Sequence, residues 1–243
     1  MNLSKGYFVT GTDTEIGKTL VSAALLWKLN SLGIDCAGFK PVVAGTYAAQ
    51  NGSRLNEDIE SLRIASTSKA QRPLSADDLC PYILDAPIAP HLGAASQNIA
   101  LDVKTILSAF KKLQQDFSTV IVEGVGGFLV PINDVNNMGD VAQSFDLPVI
   151  LVVGMRLGCI NHALLSCEAI VQRKLKLAGW VANSLNTPMP MLQENINALK
   201  KCIPAPFLGL IPSLSQHLVK PQNAPYSIEA LAFAAKHLNL ELL

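Results

Sequence analysis

The segment Gly11-Thr12-Asp13-Thr14-Glu15-Ile16-Gly17-Lys18-Thr19 follows the apolar run Tyr7-Phe8-Val9 and precedes a helical stretch at residues 20–32. Its spacing, G-x-x-x-x-G-K-T, is that of a loop that binds phosphate between a strand and a helix. Gly11 permits a sharp turn out of the strand, and Gly17 permits backbone N–H groups to close on phosphate oxygens at the positive end of the helix. A glycine-rich turn without a ligand is the alternative, but the strand before it and the helix after it favour a phosphate loop.

The last two residues of this loop carry its chemistry. Lys18 would reach the β- and γ-phosphates as a point charge, and the Thr19 hydroxyl would bind Mg²⁺. We therefore expect a bound nucleotide to contact the loop and the start of its helix at Gly11, Thr12, Asp13, Thr14, Glu15, Ile16, Gly17, Lys18, Thr19 and Leu20.

The composition indicates a globular protein with a small-molecule partner. The chain has 243 residues, with 19 Lys plus Arg, 19 Asp plus Glu and 49% hydrophobic residues. This length fits one α/β catalytic domain over residues 1–243. Because the charges balance and no basic run is present, we expect neither a nucleic acid nor an anionic membrane as partner. The longest nearly unbroken apolar run, residues 147–155, is far shorter than a membrane span.

The cysteines and the first residues indicate the compartment. The five cysteines are widely spaced without a C-x-x-C pair, and the four histidines lack the spacing of metal ligands. Neither a disulfide framework nor a zinc site is predicted. The short segment Met1-Asn2-Leu3-Ser4-Lys5 leaves no room for a signal peptide before the first strand. We therefore expect a soluble, cytoplasmic protein.

Apolar runs and helical periodicity alternate along the rest of the chain. Strands are predicted at residues 34–41, 119–124, 148–154, 178–183 and 207–211. Helices are predicted at residues 56–66, 101–115, 138–145, 161–174, 191–202 and 227–240, with a polar loop at 46–55 and loops and short helices at 71–98. This alternation predicts an α/β fold with a doubly wound, mostly parallel sheet flanked by helices, of the P-loop NTPase type.

In such a sheet, ligands bind beyond the carboxyl ends of the strands. Glu123 ends an apolar strand where a P-loop protein has its second acidic metal contact, and Asp58 could complete a Mg²⁺ site with Thr19. The alternative for Glu123 is a strand-end acid that caps the next turn. The alternative for Asp58 is an acid favoured at a helix start by the macrodipole.

Lys40 and Asn183 also end predicted strands. The Lys40 ammonium group could stabilise charge on a transferred phosphoryl group or a bound anion, and the alternative is a solvated surface lysine. The Asn183 amide could hydrogen-bond an adenine edge, and the alternative is a cap on the following loop.

Five segments together resemble the dethiobiotin synthetase family over nearly the whole chain, namely GTDTEIGKT, GFKPV, VEGVGG, PVILVVGMRLGCINHALL and LAGWVAN. The resemblance implies a ligase of biotin biosynthesis that takes 7,8-diaminononanoate, CO₂ and MgATP and forms the cyclic urea of dethiobiotin with ADP and phosphate. In that mechanism, one substrate amine captures CO₂ as a carbamate. The carbamate takes the γ-phosphoryl group to give a carbamic-phosphoric anhydride, and the second amine closes the ring.

The resemblance also implies the roles of single residues. Lys40, Lys18 and Thr14 would be catalytic, while Thr19, Asp58 and Glu123 would hold Mg²⁺. Besides the loop residues, the nucleotide site would include Asp58, Glu123, Gly124, Val125, Gly126, Asn183, Ser184, Pro212, Ser213 and Leu214. The substrate site would comprise Thr14, Lys40, Ala44, Leu157, Gly158, Cys159, Ile160 and Asn161. The turn from Leu157 to Asn161 would come from the neighbouring subunit of a homodimer with a shared active site.

The chain departs from the family pattern at two places. Ala44 stands where the family often has a serine after the lysine, so one hydroxyl contact to the substrate is missing, at a cost of about 1 kcal/mol. The stretch after Leu214 lacks an acid that some members place there for the ribose.

Two other functions remain as alternatives at this stage. One is the nucleotide domain of a cobyrinic-acid-type amide synthase, but the chain leaves no room for the glutaminase domain of such enzymes. The other is a partition or septum-positioning ATPase switch. Those proteins usually have an extra lysine near the start of the loop, where this chain has Thr12 and Asp13.

Overall fold

The computed structural model describes residues 4–48, 54–67, 73–186 and 188–243. The strands in these ranges are β1 Gly6–Gly11, β2 Cys36–Phe39, β3 Val43–Ala44, β4 Tyr47–Ala48, β5 Arg54–Leu55, β6 Ile83–Leu84, β7 Thr119–Glu123, β8 Val149–Met155, β9 Leu177–Ser184 and β10 Phe207–Ile211. The helices are α1 Lys18–Ser31, α2 Glu57–Ala65, α3 Ala76–Leu79, α4 Pro90–Ser96, α5 Val103–Asp116, α6 Met138–Phe145, α7 Cys159–Gln172, α8 Leu192–Cys202 and α9 Ile228–Lys236, followed by a 3₁₀ turn at Leu240–Leu242.

The central sheet has six strands in the order β10-β9-β8-β1-β7-β2, and every neighbouring pair is parallel. Strand β1 lies in the middle, with β7 on one side and β8 on the other, so the chain order reverses beside it. A crevice forms at the carboxyl ends of strands at such a reversal, which is where ligands bind in open α/β sheets. The predicted doubly wound parallel sheet is confirmed, and the phosphate loop lies at this crevice.

Helices cover both faces of the sheet. Helix α1 is buried along most of its length, and it packs against the sheet, α2 and α9. The opposite face holds an aromatic cluster in which the rings of Phe110 and Phe145 are 4.6 Å apart, with Phe8 and Phe39 beside them. None of the helices in the described ranges is both long enough and apolar enough to cross a membrane.

Several predicted boundaries differ from the structure. Helix α5 begins at Val103 and not at residue 101, because the Asp102 carboxylate accepts a hydrogen bond from the backbone N–H of Thr105 and caps the helix. Helix α7 begins two residues before the predicted start, and the C-terminal helix already ends at Lys236.

The loop predicted over residues 46–55 contains two short antiparallel strands, β4 and β5. The intervening residues 49–53 lie outside the described part of the chain. The segment predicted as loops and short helices at 71–98 contains α3 and α4 and also the short strand β6, which pairs with β3. Its first two residues, like residues 1–3, are outside the described ranges.

Candidate active site

The phosphate loop joins β1 to α1 and is open toward the crevice. Gly17 has φ 85°, a left-handed conformation that favours glycine. A Cβ atom on Gly17 would lie 2.2 Å from Asn183 Nδ2, so a side chain there would also displace Asn183. The buried Lys18 side chain folds across the loop and donates a hydrogen bond from Nζ to the backbone oxygen of Asp13 at 2.7 Å. The loop thus holds a buried lysine ammonium group at the start of α1.

A cluster of one hydroxyl, two carboxylates and one ammonium group lies beside the loop. Thr19 Oγ1 lies 2.7 Å from Asp58 Oδ1 and 2.8 Å from Glu123 Oε1. Lys40 Nζ lies 3.0 Å from Asp58 Oδ2 and 2.5 Å from Glu123 Oε1. The cluster brings together Thr19, Lys40, Asp58 and Glu123, four of the residues that the sequence analysis selected.

Each member of the cluster is positioned by a different element. Glu123 is the last residue of β7 and pairs in register with Val9 of β1. Lys40 follows β2, and its backbone N–H donates to Leu79 O at 2.7 Å. Asp58 lies in the first turn of α2, where the Asn56 side chain accepts a hydrogen bond from the backbone N–H of Asp58 and caps the helix.

Burial and mutual charge shift the pKa values of this cluster. Burial alone would lower the pKa of Lys40, but the negative charges of Asp58 and Glu123 outweigh it and raise the pKa above its ordinary value. Desolvation raises the pKa of Glu123. Desolvation also opposes ionisation of Asp58, but the Lys40 charge and the hydrogen bonds from Thr19 and Lys40 hold its pKa below the usual range. Burial, with repulsion from Lys40, lowers the pKa of Lys18 to about 8.

The oxygen atoms of this cluster fit a magnesium ion. Mg²⁺ prefers a hydroxyl and carboxylates as ligands, with phosphate oxygens and waters completing an octahedron. Glu123 Oε2 is buried without a hydrogen-bond partner, so this oxygen is available to a cation. Among the described residues, no group of three or more His, Cys, Asp or Glu side chains is arranged as a metal site, which means that the fit depends on Thr19 and on the phosphates of a nucleotide.

Two glycines after β7 leave space over the phosphate loop. Gly126 has φ 61°, and a Cβ there would lie 2.6 Å from Val130 Cγ2 and 3.6 Å from Thr14 Oγ1. A Cβ on Gly127 would lie 3.8 Å from the backbone oxygen of Gly11. Gly126 and Gly127 therefore lie close to the loop, whereas a Cβ on Gly124 would meet Phe8 at 3.2 Å.

A cavity of about 210 Å³ continues from the phosphate loop past the ends of β9 and β10. Asn183 is buried at its inner end and donates from Nδ2 to the backbone oxygen of Ile16 at 2.8 Å, while its Oδ1 has no hydrogen-bond partner. The amide is thus held by the loop and keeps one free acceptor. The cavity is lined by Glu15, Gly17, Leu20, Asn183, Ser184, Leu185, Asn186, Pro212, Leu214, Val219, Lys220 and Tyr226.

The turn between β8 and α7 lies near the other side of the loop. Arg156 forms an ion pair with Asp13 of the loop. Leu157 is 96% exposed, whereas Cys159 is 1% exposed. Gly158 has φ 94° and precedes the first turn of α7, where the backbone N–H of Cys159 donates to Arg156 O at 3.0 Å and Asn161 is exposed.

Comparison with known proteins identifies the family. A family model described as an AAA domain matches residues 5–221. The ATP-dependent dethiobiotin synthetase of Ralstonia nicotianae is 49% identical over 207 residues, which cover 85% of this chain and 88% of the relative. The protein of the same name from Aromatoleum aromaticum is 47% identical over 215 residues, which cover 88% of this chain and 93% of the relative. This chain belongs to the dethiobiotin synthetase family.

Membership of the dethiobiotin synthetase family confirms the assignment made from the five sequence segments. The predictions of an ATP-dependent ligase of biotin biosynthesis are confirmed with it. The amide synthase and the partition ATPase are not favoured by these relatives.

Solved structures agree on the fold. The MinC:MinD cell division protein complex of Aquifex aeolicus superimposes with a TM-score of 0.57 at 13% identity, covering 96% of this chain and 95% of that chain. A ParA family ATPase from Chlorobium tepidum gives a TM-score of 0.55 at 12% identity, covering 97% of this chain and 100% of that chain. At these identities the likeness shows the P-loop NTPase fold alone.

Sequence reasoning did not select all of the residues that line the cavity. It selected Ser213, but the hydroxyl of Ser213 donates to Leu185 O at 2.8 Å, and Ser213 does not line the cavity. It did not select Lys220 or Tyr226, which line the cavity from the segment between β10 and α9. Their only sequence signal is that they follow a strand end by several residues, which is too weak to single them out.

Proposed function

We propose that the chain joins CO₂ to 7,8-diaminononanoate at the expense of ATP and closes the ring of dethiobiotin. One amine would form the carbamate with CO₂ and lose a proton. A carbamate oxygen would then bond to the γ-phosphorus as ADP leaves. The second amine would bond to the carbamate carbon and lose a proton as phosphate leaves. Lys18 and Lys40 lie close enough for the charge of Lys40 to act on Lys18, and this closeness carries the proposal, because each step develops negative charge on oxygens beside them.

The proposed roles follow from charge and position. Lys18 would bind the β- and γ-phosphates, and its lowered pKa indicates a buried ammonium group that an anion would stabilise. Lys40 would stabilise the carbamate and the phosphoryl group during transfer, with Thr14 of the loop nearby. Thr19 and the two acids of the cluster would hold Mg²⁺, which would neutralise phosphate charge.

Base recognition is proposed for Asn183. Its Nδ2 donates one of its two N–H groups to the loop, and its Oδ1 is a buried acceptor without a hydrogen-bond partner. Adenine offers an amino group as donor, whereas guanine offers an oxygen at the same position. Asn183 with Ser184, Pro212 and Leu214 would therefore favour ATP over GTP.

The substrate carboxylate is proposed to bind at the turn that begins α7, at Leu157, Gly158, Cys159, Ile160 and Asn161. The first N–H groups of a helix and its positive dipole end suit a carboxylate. Because Leu157 is almost fully exposed, we propose that this turn meets the substrate bound by a second copy, in a homodimer with a shared active site. Ala44 would face the substrate without a hydroxyl.

Residues 1–243 would form a single catalytic domain that works in the cytoplasm on small molecules, without nucleic acid or membrane. One assay tests it. Purified protein with MgATP, bicarbonate and 7,8-diaminononanoate should release phosphate only when the diamine is present, and mass spectrometry should find dethiobiotin in equal amount. Phosphate release that is independent of the diamine would overturn the proposal, and so would the absence of dethiobiotin.

A further inference from the structure

An ion pair lies at the rim of the cavity that continues from the phosphate loop. Lys220 Nζ is 2.6 Å from Glu57 Oε1, and the two side chains are 22% and 30% exposed. Lys220 lines the cavity, and Nζ lies 5.9 Å from the ring centre of Tyr226, which lines it too. The pair therefore connects the cavity wall to the first residue of α2.

The same wall is attached to α2 at a second point. The backbone N–H of Tyr226 donates to Ser61 Oγ at 3.1 Å, and that hydroxyl donates to Glu57 O at 2.7 Å. We call residues 219–226 the pocket strap, because they span the two attachments and because Val219, Lys220 and Tyr226 line the cavity. Glu57 takes part in both attachments. Its carboxylate pairs with Lys220, and its backbone oxygen accepts the hydrogen bond from Ser61.

Helix α2 also carries a member of the candidate metal site. Asp58 follows Glu57 directly and lies 2.7 Å from Thr19 Oγ1. Burial, together with the charges of Asp58, Glu123 and Glu57, raises the pKa of Tyr226 to about 12, which agrees with a strap that lies close to the carboxylate cluster. The first turn of α2 thus contacts the nucleotide cavity on one side and the phosphate site on the other.

We propose that Glu57 and Lys220 are a positioning pair that holds the pocket strap against α2 and so sets the affinity for the nucleotide. This inference rests on the proposed function, since it takes the cavity as the base and ribose site. Neither side chain takes part in phosphoryl transfer. When the pair is broken, the strap loses its polar attachment through Lys220, and part of the binding free energy is used to order it.

The test is a double-mutant cycle with Lys220→Met, Glu57→Gln and the double variant. Isothermal calorimetry with MgADP should give a dissociation constant raised about three- to tenfold in each single variant. The double variant should bind no more weakly than either single variant, because both substitutions remove the same interaction. In the diamine-dependent assay, KM for ATP should rise by the same factor, while kcat should stay within about twofold of the wild type.

Conservative and matched variants complete the design. Lys220→Arg keeps the charge and should restore most of the affinity. Arg63→Gln breaks the Arg63–Glu60 pair on the same helix, whose atoms are 2.7 Å apart, and should leave nucleotide binding unchanged. Thermal unfolding of every variant identifies folding defects. If Lys220→Met does not fold, Glu57→Gln still tests the same contact.

Three outcomes would overturn the inference. These are additive losses in the double variant, a fall in kcat with unchanged affinity, and unchanged MgADP affinity in both single variants. The assigned reaction is tested separately, because calorimetry needs no diamine. A wild type that makes no dethiobiotin but shows the predicted cycle would refute the reaction and support the positioning pair.

Discussion

The Lys40 ammonium group lies 2.5 Å from Glu123 Oε1, and both side chains are at most 3% exposed. Removing Lys40 leaves Glu123 and Asp58 without their cation beside the phosphate loop. We expect Lys40→Ala to lower kcat by about a hundredfold or more, because this charge acts mainly on the transition state. Single-turnover phosphate release measures the loss.

The same variant should bind ATP almost normally in calorimetry, because Lys18 and the backbone of the loop remain. Lys5→Ala is a control at a lysine outside the crevice, and it should retain wild-type turnover. Near-normal turnover of Lys40→Ala would remove this lysine from the set of catalytic groups.

Asn161 tests the carboxylate site at the start of α7. We expect Asn161→Ala to raise KM for the diamine by about tenfold and to leave KM for ATP unchanged, since one polar contact to an anion is lost. Initial rates at varied diamine and varied ATP separate the two constants. The reverse pattern would place Asn161 with the nucleotide and would contradict the assigned site.

Asn183 tests base selection. We expect Asn183→Ala to raise KM for ATP by about tenfold and to narrow the preference for ATP over GTP, because the free Oδ1 acceptor is lost. The ratio of kcat/KM for the two nucleotides measures this preference. Asn195→Ala is a matched control, because that amide donates to Met191 O at 2.8 Å on the exposed side of α8. An unchanged ratio in Asn183→Ala would exclude selection by this amide.

The Asp102 cap of α5 should make the stability of the protein depend on pH. The backbone N–H of Thr105, and then its hydroxyl, hold the pKa of Asp102 below the ordinary 3.8. The stabilisation by the charged form is complete above the pKa of the unfolded chain and is lost as the pH falls through the lower pKa of the folded protein. Asp102→Ala should therefore lower Tm at pH 7, and the difference should shrink below about pH 4. If calorimetric scans give the same Tm difference between Asp102→Ala and the wild type at pH 7 and below about pH 4, the cap is not a charged one.

The sequence predicted the members of the site better than their mutual contacts. Gly17, Lys18 and Thr19 follow from a loop whose chemistry is local, and Glu123 follows from a strand end beside it. Nothing local indicates that the Thr19 hydroxyl would touch both Asp58 and Glu123, because these residues come together only when the strand order is known. The sequence also left open whether Lys40 is a solvated surface lysine. Its burial beside Asp58 and Glu123 could not be predicted locally, because both acids are distant in sequence.

Helix boundaries show a similar limit. The start of α7 was predicted at Asn161, whereas the helix begins at Cys159 after the left-handed Gly158. Apolar periodicity locates the middle of a helix but not its first turn, which is set by caps and by tertiary packing. Lys220 shows a second limit, because it lines the cavity and pairs with Glu57, a residue far away along the chain.

Helix α1 is enclosed by the sheet, α2 and α9, and the Lys28 ammonium group donates to the Ala235 backbone oxygen at 3.2 Å across its contact with α9. Displacing the helix would open voids on each of these sides, which a close-packed interior resists. We therefore expect the phosphate loop to stay in place during turnover. In the proposed reaction, any reorientation between carbamate formation and ring closure would then be made by the diamine and by the exposed turn around Leu157.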